Sequence, residues 1–121
     1  KLDPLDVWDF AGRWTKGMYE GGFAALSFQI KKRLPIGRGG MILCDDYESY
    51  TWFKKACYDG RDLEKNYMED DIEMLGWHMY MTPEDAARGI ILMDNISEIN
   101  DDSHSYMSYK DLRLNKVFNG V

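Results

Sequence analysis

The chain has 121 residues, with 15 Lys and Arg against 21 Asp and Glu and a formal net charge of −6. Its length suits one domain with a real core, and an apolar fraction of 45% with 14% aromatic residues excludes a disordered or low-complexity chain. The acidic balance argues against nucleic acid or an anionic membrane as partner, because no basic field is present to neutralise phosphates.

Residues 7–10 predict a short strand ending at Asp9. Residues 13–22 read as a loop punctuated by Gly21-Gly22. Residues 23–28 (FAALSF) form an apolar run whose length favours a buried strand over a helix. Residues 37–40 (GRGG) form a turn, and residues 40–44 (GMILC) read as the next buried strand of the same sheet. Asp45-Asp46 then offers a helix N-cap, with Tyr50, Phe53, Ala56 and Cys57 at helical spacing. Lys54 and Lys55 complement the end of that helix, and Gly60 stops it.

Residues 62–71 are polar and irregular, and Glu69-Asp70-Asp71 reads as a solvated acidic loop rather than a metal site. Met74, Met79 and Met81 with Trp77 read as packing or interface residues. Thr82-Pro83-Glu84-Asp85 is the clearest helix start in the chain. The apolar repeat behind it predicts a helix to about Ile99, with Gly89 required by a close packing contact. The tail after Asn100 is irregular, and His104 carries no assigned role. The class is α/β.

Apolar runs such as residues 90–93 fall far short of the ~20 residues needed to span a bilayer. Cys44 and Cys57 have no metal-ligand spacing, eight methionines suit a reducing interior, and no secretory leader pattern opens the chain. A cytoplasmic location is therefore expected. The chain begins with Lys1 rather than Met, so a processed product or a piece of a longer protein is expected.

Chemistry concentrates in residues 27–40 (SFQIKKRLPIGRGG), where a strand end supplies a hydroxyl, two lysines follow, and glycines let backbone approach a ligand. A lysine at such a place can serve as a nucleophilic amine. By composition alone, however, a KK pair in a loop is most often solvated charge.

The wider pattern adds to this. Ser27-Phe28, three residues, Lys32, Leu34 and then Gly37-x-Gly39-Gly40 resembles the signature around the cofactor lysine of the DegT/DnrJ/StrS sugar aminotransferases. Gly40-Met41-Ile42-Leu43 with Asp45-Asp46, then Tyr58-Asp59-Gly60-Arg61-Asp62, then Gly76-Trp77-His78-Met79-Tyr80-Met81-Thr82 with Ala86-Ala87 and Gly89, are similar to later segments of that family in the same order.

The resemblance implies an aspartate-aminotransferase-like, fold-type-I large domain, a three-layer αβα sandwich with a mostly parallel sheet. Residues 1–99 would be the C-terminal part of that domain. Residues 100–121 would begin the small C-terminal domain or form an irregular tail. It further implies pyridoxal 5'-phosphate as cofactor, with Lys32 as catalytic Schiff-base residue, Ser27 donating to the cofactor phosphate and Asp9 pairing with the pyridinium nitrogen. His78 stands where the family usually carries an Asn that reaches the phosphate across a homodimer interface. The implied substrates are a keto-sugar nucleotide and an amino-acid donor, glutamate, in amino-sugar or surface-polysaccharide biosynthesis. Gly12 and Tyr80 depart from the family's usual Gln or His and Arg. The alternative is a non-catalytic remnant of the fold that serves as an association or binding module.

Overall fold

Alternation decides the sheet. In the computed structural model, which describes residues 1–2, 4–103 and 111–117, Ala24, Leu26 and Phe28 turn inward while Ala25 stays exposed. The strands are β1 (Val7–Asp9), β2 (Phe23–Ser27) and β3 (Gly40–Leu43), in the order β1-β2-β3. β1 runs parallel to β2 with Asp9 opposite Ala25, and β3 runs antiparallel to β2 with Gly40 opposite Ser27. The α/β class holds, but these strands make a mixed sheet where a mostly parallel one is expected. The reason is local: β3 returns beside β2 straight from the loop 28–39, without the crossover a parallel neighbour needs. Gly40 is required at that pairing, since a Cβ there would collide with the Leu26 carbonyl oxygen.

The core lies on one face of the sheet. Ala24, Leu26 and Phe28 meet Phe10, Leu34 and Ile36, with Trp8, Trp14, Met18, Tyr19, Leu43, Met81 and Leu92 packed around them. Both apolar strands read from sequence as buried, and the structure corrects this. On the second face of β2 Phe23 is half-buried against Phe53 and Ala25 is exposed, and β3 leaves Met41 and Ile42 44% and 47% exposed.

Two helices follow as their caps predict. α1 (Tyr47–Cys57) starts at Asp46, whose Oδ1 accepts from the Ser49 N–H at 2.7 Å. That bond, with the Ser49 hydroxyl, holds the Asp46 carboxyl below its ordinary range. The helix stops through Asp59 and Gly60, both at positive φ, and the Gly60 N–H returns to the Lys55 carbonyl at 2.9 Å.

α2 (Pro83–Met93) starts at Thr82, whose hydroxyl accepts from the Asp85 N–H at 3.3 Å. The packing contact expected at Gly89 is present, because the residue is buried and a Cβ there would lie 2.8 Å from Ile36 Cδ1. Arg88 donates to the Ile36 carbonyl and Arg38 pairs with Asp85, so α2 docks on the loop between β2 and β3.

The helix ends at Met93, not near Ile99. Asn95 turns its side-chain amide back onto the Ile91 carbonyl at 2.7 Å, which competes with helix continuation. Glu98 is then drawn away to accept from the Lys16 N–H at 2.7 Å. Of the expected irregular tail, residues 111–117 contain a short 3-10 turn, Leu112–Leu114, while residues 104–110, with His104, and 118–121 lie outside the described residues.

Candidate active site

Because β1 and β2 are parallel, their carboxyl ends reach the same edge of the sheet, the place where open α/β sheets bind ligands. Asp9 ends β1 and Ser27 ends β2. Asp9 is opposite Ala25, and Ser27 is two residues farther along β2, so both side chains belong to the uncovered face with the small Ala25 between them. Asp9 Oδ1 accepts from the Ala11 N–H at 2.9 Å, a turn that fixes the carboxylate at the strand end. Ser27 Oγ accepts from the Gln29 N–H at 3.4 Å. The Phe10 N–H reaches the Ala25 carbonyl at 2.9 Å and carries the pairing one residue past Asp9.

Lys32 lies in the loop that leaves β2. Its N–H donates to the Gln29 carbonyl at 2.8 Å, and Gln29 bridges to Gly37. Leu34 and Ile36 sink into the core on either side of Pro35 and anchor the loop from below. Gly37 and Gly39 both take positive φ, which the return to β3 demands. Within the lysine pair, Lys31 is exposed and Lys32 half-buried. The structure thus brings Asp9, Ser27 and the Lys32 loop to one sheet edge.

His78 is elsewhere. It bridges to Tyr58 beyond α1, and its side chain is 70% exposed, with Nδ1 3.5 Å from an Asp59 carboxylate oxygen. Its ring lies 4.2 Å from that of Tyr80, which stacks on Tyr58 at 4.6 Å and 8°. Trp77 and Met79 on either side are exposed, while Met81 packs against the core.

Asp70 departs from the sequence reading. It is not solvated: its side chain is 5% exposed and accepts from the Asp62 N–H at 2.9 Å and the Ile72 N–H at 3.3 Å. Burial, the largest influence, favours the neutral acid. The two N–H groups and Arg61, 3.5 Å away, together outweigh it and hold the carboxyl below its ordinary range. Arg61 in turn sits over the Tyr67 ring at 4.6 Å. An Asp two residues before an N–H it can reach was the available signal, hidden by the acidic neighbours. Among the described residues no group of three or more His, Cys, Asp or Glu could hold a metal ion. None of their helices is long and apolar enough to cross a membrane.

Two parallel strand ends and a lysine-bearing loop lie at one end of this α/β fragment, whose fold matches that of a PLP-dependent aminotransferase, fold type I. Residues 12–118 match the DegT/DnrJ/EryC1/StrS aminotransferase family, and the chain belongs to that family. A crystal structure of a protein described as a PLP-dependent aminotransferase from Bacillus cereus is similar over 74% of this chain, at 26% identity and a TM-score of 0.60. The match covers 25% of that protein, so the chain spans about a quarter of its length. Comparison with curated proteins found no match. Ser27, Lys32 and His78 fall inside the family match, and Asp9 lies just before it.

Proposed function

We propose that this chain is the Schiff-base-lysine segment of a pyridoxal-phosphate-dependent aminotransferase. The enzyme would move an amino group from an amino-acid donor, glutamate, to the keto group of a nucleotide-linked sugar, in cytoplasmic amino-sugar or surface-polysaccharide biosynthesis. The observation that carries the reading is the presence of Asp9 and Ser27 on one uncovered sheet face, with the Lys32 loop leaving the same edge. This donor set fits the cofactor. A flat aromatic ring suits a sheet face whose central side chain is Ala25, and a carboxylate, a hydroxyl and a primary amine match its ring nitrogen, phosphate and aldehyde.

When bound, pyridoxal phosphate supplies an electron sink for the carbanion of transamination. The residues do the rest. Lys32 would hold the cofactor covalently through Nζ, and the amine, freed when the donor's amino group takes its place, would move the proton between the two carbon positions that exchange it. Asp9 keeps the ring nitrogen protonated. Ser27 Oγ donates to the phosphate, and His78 donates to it from a second subunit of a homodimer. The exposed Trp77 and Met79 beside His78 support a surface meant for that subunit. Residues 1–99 belong to the large domain in this reading, and 100–121 begin the small one. Family relatives that dehydrate sugars carry another residue at the lysine position, so Lys32 supports amination.

Borohydride reduction of the full-length protein with pyridoxal phosphate, followed by peptide mapping, tests the assignment. The adduct is expected on Lys32. An adduct on Lys31, or none in folded protein, overturns it.

A further inference from the structure

The β1-β2 ladder fixes the strand ends that carry Asp9 and Ser27, but the loops beyond them leave the sheet. A third segment touches both loops. Residues 98–103 run antiparallel to residues 12–16: the Lys16 N–H donates to the Glu98 carbonyl at 2.7 Å, and the Ser103 N–H to the Gly12 carbonyl at 2.8 Å. Between those ends the Asn100 amide donates to the Trp14 carbonyl at 2.8 Å and to the Ser97 carbonyl at 2.6 Å. Its backbone N–H reaches Thr15 Oγ1 at 3.1 Å. Arg13 holds Asp102 with two bonds, of 2.8 and 2.6 Å, while its guanidinium lies 5.7 Å from the ring of Phe10, the residue after Asp9. From the other loop Arg33, next to Lys32, donates to the Asp101 carbonyl at 2.5 Å.

We propose that residues 98–103 are a strap that sets the loop leaving Asp9 against the loop carrying Lys32, with Arg13, Arg33 and Asn100 as positioning residues. The proposal deepens the functional reading and rests on it for the roles of Asp9 and Lys32. Bonds of this kind are individually modest where they are partly exposed, but a contiguous set held by one short segment acts together. The strap therefore adds a polar link between two loops that otherwise meet only through the apolar core. In this arrangement Arg13 acts on Asp9 through Phe10, and Arg33 acts on Lys32 as its neighbour in the loop.

Amide hydrogen exchange on the full chain without cofactor tests the coupling directly. Asn100→Ala should speed exchange at least tenfold both in 12–16 and in 29–37, with the β2-β3 amides unchanged. Faster exchange in 12–16 alone would show that the loops are not coupled and overturn the strap. If Asn100→Ala loosens the sheet as well, Arg13→Lys, which keeps the charge and loses the two-bond grip, should give the same pattern at smaller amplitude. Its failure to do so overturns the proposal equally.

The second arm adds pyridoxal phosphate and follows borohydride trapping on Lys32. Trapping should slow several-fold in Arg13→Ala and recover partly in Arg13→Lys. An unchanged rate alongside faster exchange would mean that the strap does not position the site. Should the native protein trap no cofactor, the functional reading falls, while the exchange arm still judges the strap.

Discussion

The sheet edge and the segment 60–80 solve the same problem, holding a polar side chain in place, by opposite means. At the edge Asp9 and Ser27 are strand residues, and Lys32 follows within a loop pinned by Leu34 and Ile36. Their positions derive from ladder bonds and core burial. In 60–80 there is no regular strand. A close backbone crossing of Gly60 and Gly76, the buried Asp70 carboxylate and the Tyr58–Tyr80 stack hold the chain, and His78 stays exposed on its outer side. A reacting group needs the first kind of support, since small displacements cost rate. A contact offered to a second surface can use the second kind.

Substitutions can break or sharpen this comparison. The largest effect is expected for Lys32→Ala, which should abolish cofactor attachment and transamination in the full-length protein while leaving its melting temperature nearly unchanged. Attachment surviving in the variant would move the chemistry away from the edge. Asp9→Asn should lower kcat by about 10²–10³-fold, the range seen when one preorganised electrostatic partner is removed, with a much smaller change in cofactor affinity. Near-normal turnover would make Asp9 a turn residue only.

The supporting scaffold comes next. Gly40→Ala drives a Cβ into the Leu26 backbone, which cannot rotate away, and should cost about 1–3 kcal/mol by chemical denaturation. Gly89→Ala should cost less, because the atom it meets ends the Ile36 side chain and the helix gains about 1 kcal/mol of propensity.

In the other region Asp70→Asn should act through pH. The Asp70 carboxyl is held below its ordinary value, so its stabilisation is present above an unfolded pKa of about 3.9 and disappears as pH falls through the folded one. Loop protection, taken relative to the intrinsic exchange rate at each pH, should therefore fall in acid in the native protein, whereas the variant starts weaker at neutral pH and shows less acid dependence. Equal acid profiles would mean that Asp70 does not organise the loop. The smallest effect is expected for His78→Asn, which replaces a 70% exposed side chain and should leave the melting temperature unchanged. A clear loss of stability would show that His78 itself helps to hold the segment and erase the contrast between the regions.

Local signals were legible where local physics decides. The caps at Asp46 and Thr82, the stop at Gly60, the close contact at Gly89 and the strand positions of Asp9 and Ser27 follow from side-chain oxygens, steric freedom and period. The order of motifs around Lys32 likewise carried the family, which residues 12–118 match. What failed to show was where the second helix ends and what encloses Asp70, both set by distant partners. Ile96 and Ile99 keep a helical spacing, yet the chain leaves the helix because Glu98 and Asn100 bond to residues 15 and 16 or 14 instead. Asp70 looks like any member of an acidic run until Asp62, Arg61 and Ile72 close around it.

The sequence by itself therefore determined the helix and strand starts, the glycine positions and the membership of the family, since each depends on neighbouring residues or on their order along the chain. Only the tertiary structure decided which face of β2 is covered, that β3 lies exposed and antiparallel, and that 98–103 lies across the site loops. Those outcomes depend on contacts between residues tens of positions apart, whose free energy is realised only when the whole chain has closed upon itself.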